Sequence, residues 1–141
     1  MTDMYTVRID QFLPNAPAQV WKALTDPDLL ARWLMPNDFQ LVVGHHFTFK
    51  NIPIPAVKFE GTVYCEVERR LRYSWVDRGE ENGLNSIVTW RLEPENDGTH
   101  LFFEHEGFDP NHPLQLKGYQ MMSQGWSRIV GRRLVEVLAE D

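Results

Sequence analysis

Apolar and polar positions alternate most cleanly between Val57 and Glu68. Val57, Phe59, Gly61, Val63, Cys65 and Val67 fall on one side of an extended chain, against Lys58, Glu60, Thr62, Tyr64, Glu66 and Glu68 on the other. That period of two predicts a strand. "LRYSWV", Leu71–Val76, follows almost at once, so the two are expected to be antiparallel neighbours. "SIVTWRLEP" and "THLFFEHEGF" flank the turn sequence "ENDG" and predict a hairpin. "MYTVRIDQFL" at the start and "HHFTFKN" around Phe47 and Phe49 add two more strands. Pro53 and Pro55 in "IPIP" donate no backbone hydrogen, which predicts a loop or an edge irregularity there. "GEENG", residues 79–83, reads as a loop.

Elsewhere the period is helical. Asn15 is a candidate cap for a helix with Pro17 in its first turn and Val20, Trp21 and Leu24 as its stripe. "TDPD" ends it and starts a second, capped by Thr25 or Asp26, which buries Leu29, Leu30, Trp33 and Leu34. After "DPNHP", no proline interrupts the chain from Leu114 to Leu138. With Asn111 as cap, Leu114, Met122, Gly125, Trp126, Ile129, Val130 and Val137 share one broad side of a long helix. The order is strand, two short helices, about six strands, long helix.

Composition narrows the roles. The 141 residues suit one domain, with 43% hydrophobic and 24% charged residues, and they suffice to bury a core without staples. A net charge of −6 argues against nucleic acid as a partner. "ERRLR" and "GRR" read as solvated faces. No apolar run approaches the roughly 20 residues of a membrane span, and the N-terminus has no signal-peptide pattern. The single cysteine, Cys65, permits no intrachain disulfide, and the cytoplasm is the expected compartment.

"LFFEHEGF", Leu101–Phe108, carries the most informative side chain. As a strand it sets Phe102, Glu104, Glu106 and Phe108 on a wetter face and Leu101, Phe103, His105 and Gly107 on an inner one. An inward histidine has three readings: hydrogen-bonded core, polar ligand contact, or general acid–base catalyst. A metal site is not expected. His45 and His46 are adjacent and so point to opposite faces of a strand, and no ligand spacing accompanies them. Cys65 has no evident base and orienting group beside it, and no inward carboxylate pair is visible. The glutamates 66, 68, 104 and 106 read as outward charge, with Arg70 and Arg72 as cross-strand partners.

"APAQVWKALTDPDLLARWL", "VTWRLEPENDGTHLFFEHEGF" and the pair Gly125–Trp126 resemble the START-like SRPBCC superfamily. More narrowly, they look like the single-domain bacterial relatives of the C-terminal domain of the heat-shock-protein-90 ATPase activator. The resemblance spans nearly the whole chain. It implies an α+β helix-grip fold: a curved antiparallel sheet of about six to seven strands around a long C-terminal helix, often enclosing an apolar cavity. The superfamily includes lipid carriers, hormone receptors, aromatic polyketide cyclases and self-sacrificing resistance proteins. The eukaryotic activators carry a further N-terminal domain, for which 141 residues leave no room.

Alternation then supplies walls for such a cavity: Trp33, Tyr73, Trp75, Trp90, Phe103 and His105, with Met121, Met122, Gly125 and Trp126 from the helix. Gly118 and Gly125 lie one heptad apart, and each costs roughly 1 kcal/mol of helix propensity against alanine. They serve either to keep a pocket open or to let the helix approach the sheet. The expected function is binding of a small, largely apolar or aromatic molecule, with His105 and Tyr73 as polar anchors and no cofactor. The alternatives are a polyketide cyclase or dehydratase-like enzyme using His105 as acid or base, and a chaperone-associated module for which no anchor patch is visible.

Overall fold

Asp26 closes one helix and opens the next. Its backbone N–H donates to the Lys22 carbonyl, while its carboxylate accepts from the N–H groups of Asp28 at 2.9 Å and Leu29 at 3.3 Å. The two short helices are therefore joined with no intervening loop. The computed structural model describes residues 4–50, 59–67, 69–77 and 84–140. In order they form β1 (Tyr5–Leu13), α1 (Pro17–Thr25), α2 (Pro27–Trp33), β2 (His46–Thr48), β3 (Phe59–Val67) and β4 (Arg70–Asp77). Then come β5 (Asn85–Glu95), β6 (Gly98–Phe108), α3 (Pro113–Arg128), a π-helical turn (Ile129–Leu134) and α4 (Val135–Ala139). Pro53, Pro55, the 79–83 loop, residues 57 and 58 of the predicted strand and the side chain of Cys65 lie outside what is described.

All six strands form one antiparallel sheet in the order β1-β6-β5-β4-β3-β2. The chain thus has the helix-grip arrangement, with the C-terminal helix packed against a curved sheet. The "ENDG" hairpin joins β5 to β6 with Glu95 opposite Gly98 and Asn96 at φ 52°. At the other end, Val130, Leu134, Val137 and Leu138 are buried, and this part of the helix packs on α1 and α2.

Three local expectations change. Asn15 does not cap α1: its amide donates to the Leu138 carbonyl at 3.2 Å, and the Gln19 side chain accepts the N–H of Ala16 instead. His112, not Asn111, caps α3, its Nδ1 accepting from the Gln115 N–H. The terminal helix is not uniform either. The π-helical turn interrupts the α-helical ladder, and the Gln11 amide of β1 donates to the carbonyl of Val130 inside it at 3.4 Å.

The inner face of β6 holds Leu101, Phe103 and His105 as alternation requires, but Phe108 joins them. Gly107 sits at φ 111°, and the β1–β6 register slips between Tyr5 and Thr6. The strand therefore loses its alternation there and swings Phe108 inward onto His105 and Tyr119. A Cβ at Gly107 would sit 3.2 Å from the Asn85 carbonyl oxygen and the Ser86 Cα. Gly107→Ala is expected to cost more than about 1 kcal/mol, from the left-handed backbone and this contact together. Chemical denaturation of the two proteins, compared at equal slope, checks it.

Candidate functional site

Trp126 is the only side chain of α3 that is buried. Its indole lies against Trp75 of β4, Trp90 of β5 and Phe103 of β6, with ring centroids 5.4, 5.9 and 4.5 Å away. Trp33, from α2, meets Trp90 edge-on at 5.7 Å and donates its own N–H to the Ala23 carbonyl. The rings expected along the wall therefore lie together. Trp33, Tyr73, Trp75, Trp90, Phe103, His105 and Trp126 are all buried and converge, each packed against others of the set.

A buried indole N–H needs an acceptor, and Trp126 finds one in His105 Nδ1 at 3.0 Å. Because an indole can only donate, Nδ1 must be the unprotonated nitrogen. His105 Nε2–H then donates to Ser86 Oγ at 2.7 Å, and the Ser86 hydroxyl donates to the Trp75 carbonyl at 2.6 Å. This relay links α3, β6, β5 and β4. It consumes both nitrogens of a histidine with no exposed surface. Burial pushes its pKa down to about 3, so the ring is neutral. The roles of ligand anchor and of acid–base catalyst each need a free ring nitrogen, and His105 offers neither. Of the three readings, the geometry is that of hydrogen-bonded core.

Ser86 was missed in the sequence reading. It has the same parity as Val88 and Trp90 on β5, so a small hydroxyl facing inward was the available signal.

Tyr73 differs from His105. Its phenol oxygen accepts the Trp90 indole N–H at 2.9 Å, and burial pushes its pKa up. The hydroxyl hydrogen has no acceptor among the described residues. The rings of Phe39 and Phe47 meet the Tyr73 ring edge-on.

The helix side of the expected wall is different again. Met122 is half-buried, while Leu114 and Met121 are 44% and 52% exposed and do not point inward as expected. A Cβ at Gly125 would meet nothing within 4 Å. Close helix-to-sheet packing therefore does not explain this glycine. Tyr119 holds this part of α3 to the sheet, packing on Tyr5 of β1 and Phe108 of β6. Among the described residues no three His, Cys, Asp or Glu side chains are grouped to hold a metal ion. No described helix is long and apolar enough to cross a membrane.

Comparison with known proteins supports the fold. A family model described as Activator of Hsp90 ATPase homolog 1-like protein matches residues 15–139. No curated protein matches the chain. Among solved structures, protein MLL2253 from Mesorhizobium loti is 32% identical, with a TM-score of 0.86 over 96% of this chain and 98% of that one. DynU16, from the dynemicin biosynthetic locus, is 25% identical with a TM-score of 0.75 over 95% of this chain, which spans 47% of DynU16. CalU16 from Micromonospora echinospora is 27% identical, with a TM-score of 0.65 over 97% of this chain and 83% of that one.

The His105 relay makes stability depend on pH. Above about pH 6.5 the ring is neutral in both folded and unfolded chains and the relay contributes in full. Between there and about pH 3 only the unfolded chain takes up the proton. Stability should then fall by about 1.4 kcal/mol per pH unit from this residue. Urea unfolding across that range, compared with His105→Gln, should give a shallower slope for the variant.

Proposed function

The chain belongs to the Activator of Hsp90 ATPase homolog 1-like family, and on that premise we propose that it binds a small, largely apolar molecule between α3 and the aromatic floor of the sheet. The observation that carries this reading is that α3 buries no side chain before Trp126. At about 100° per residue, Leu114, Gly118, Met121, Met122 and Gly125 lie on one flank of that helix. The flank is apolar and lacks side chains at two of its five positions, yet none of it is buried. Apolar surface of this kind gains roughly 25 cal/mol for each Å² a ligand covers.

Tyr73 is the polar anchor in this proposal. A buried hydroxyl hydrogen without an acceptor costs about 1–3 kcal/mol. A carbonyl or ether oxygen on an otherwise apolar ligand relieves that cost. His105 acts through Trp126, holding the floor in place. A cyclase-like reaction with His105 as acid or base is disfavoured by the commitment of both its nitrogens. DynU16, from the dynemicin biosynthetic locus, fits small-molecule handling in general. A chaperone partner is favoured by the family description alone, with no surface among the described residues to carry it.

Two outcomes test the proposal. Gly125→Leu has room for its first atom and gains about 1 kcal/mol of helix propensity, so the chain should fold at least as stably. Its affinity for an apolar probe such as anilinonaphthalene sulfonate should drop severalfold, read by fluorescence titration. Unchanged probe binding would sink the site. Tyr73→Phe also takes the acceptor from the Trp90 indole and should lower stability by about 1–3 kcal/mol, while weakening acetylnaphthalene about fivefold more than naphthalene, the worth of one neutral hydrogen bond. Calorimetric titration of both compounds measures the split.

A further inference from the structure

β1 ends the sheet, and it is a long end. Its nine residues pair with β6 on one side. On the other side no described backbone bonds to it. β2, at the opposite edge, has three residues. Exposed edges are normally blunted by proline, lysine, a central bulge or a covering segment. β1 contains neither residue, and its one irregularity, at Tyr5 and Thr6, lies at its start.

The sequence of this edge is complementary to itself. A two-fold axis through Ile9 sets β1 antiparallel to β1 of a second copy. It places Arg8 opposite the second copy's Asp10, Asp10 opposite its Arg8, and Thr6 opposite its Phe12. These side chains lie on the exposed face: Arg8 is 70% and Asp10 68% accessible at the side chain, and Phe12 is exposed. Their contacts within the chain leave capacity for a partner. Arg8 approaches Glu104 with Nε at 3.6 Å, which leaves its terminal nitrogens. Asp10 meets His100 with Oδ1 at 3.0 Å, which leaves Oδ2. A guanidinium fork and a carboxylate oxygen thus face each other twice across the axis.

We propose that the outer edge of β1 is a docking surface for a second copy of this chain, formed by antiparallel β1–β1 pairing about Ile9. Backbone hydrogen bonds supply the attachment, the two charge pairs fix the register, and Phe12 is covered at each end. This inference is independent of ligand binding by α3. A joint of one strand against another is small, so the dimer is of the weak class that responds to protein concentration and salt.

The test is sedimentation velocity of the full chain over a concentration series, with Arg8→Asp and Asp10→Arg as variants. Each variant alone sets like charges opposite one another twice and should raise the dimer dissociation constant about tenfold or more. Mixed in equal amounts, the two variants are complementary at all four positions. The mixture should recover dimer, while each keeps its own intrachain losses. Wild-type chain that stays monomeric at every concentration overturns the proposal. So does a dimer that neither variant weakens, or a mixture no better than the variants alone.

Discussion

Burying an indole N–H without an acceptor is costly, and the Trp126 end of the core is organised around supplying one. Trp126 brings the donor and its large apolar ring from the C-terminal helix. His105 supplies the acceptor, but only in one tautomer, and that tautomer in turn needs an acceptor of its own. Ser86 meets that need and passes the final donor to the Trp75 carbonyl. Four elements distant in sequence are thereby fixed by three bonds whose directions are all forced. A low local dielectric makes such a fully satisfied set worth keeping and a partly satisfied one costly.

Much of this architecture was legible because the sheet alternates faithfully. Leu71, Tyr73, Trp75, Val88, Trp90, Leu92, Leu101, Phe103 and His105 are inner by parity and buried in fact. Parity fails where the backbone departs from extended geometry. Phe108 was assigned to the wet face because a glycine at φ 111° carries no mark in the letters around it. Helical periodicity has a different blind spot. It gathers Leu114 and Met121 with Trp126 as apolar, but it does not say which part of a broad apolar side meets the sheet. The cap lies one residue on from both Asn15 and Asn111: at Ala16, whose N–H Gln19 accepts, and at His112, whose ring supplies the bond. The candidate site was readable as a set of rings, while its hydrogen-bond logic, which decides what His105 does, needed coordinates.

Membership of the family settles the fold and leaves the chemistry to the individual chain, since one fold hosts many functions. Here the aromatic floor is closed by its own packing and its histidine is spent. What varies is the helix above it. The glycine at 125 and the exposed leucine and methionine give this surface its character.

The π-helical turn has a mechanical meaning. Below it, α4 is anchored by α1, α2 and the Asn15 amide, and the turn itself is tied to β1 through Gln11. Above it, α3 runs from Trp126 back to Pro113, about 20 Å at 1.5 Å per residue. The helix is thus a cantilever with its root at residues 129–134 and Tyr119 as a prop part-way along. In such a beam a small change of angle at the root becomes a large change of clearance at the tip. Leu114 lies near that tip, so it moves most with that angle, and no ring of the floor need repack.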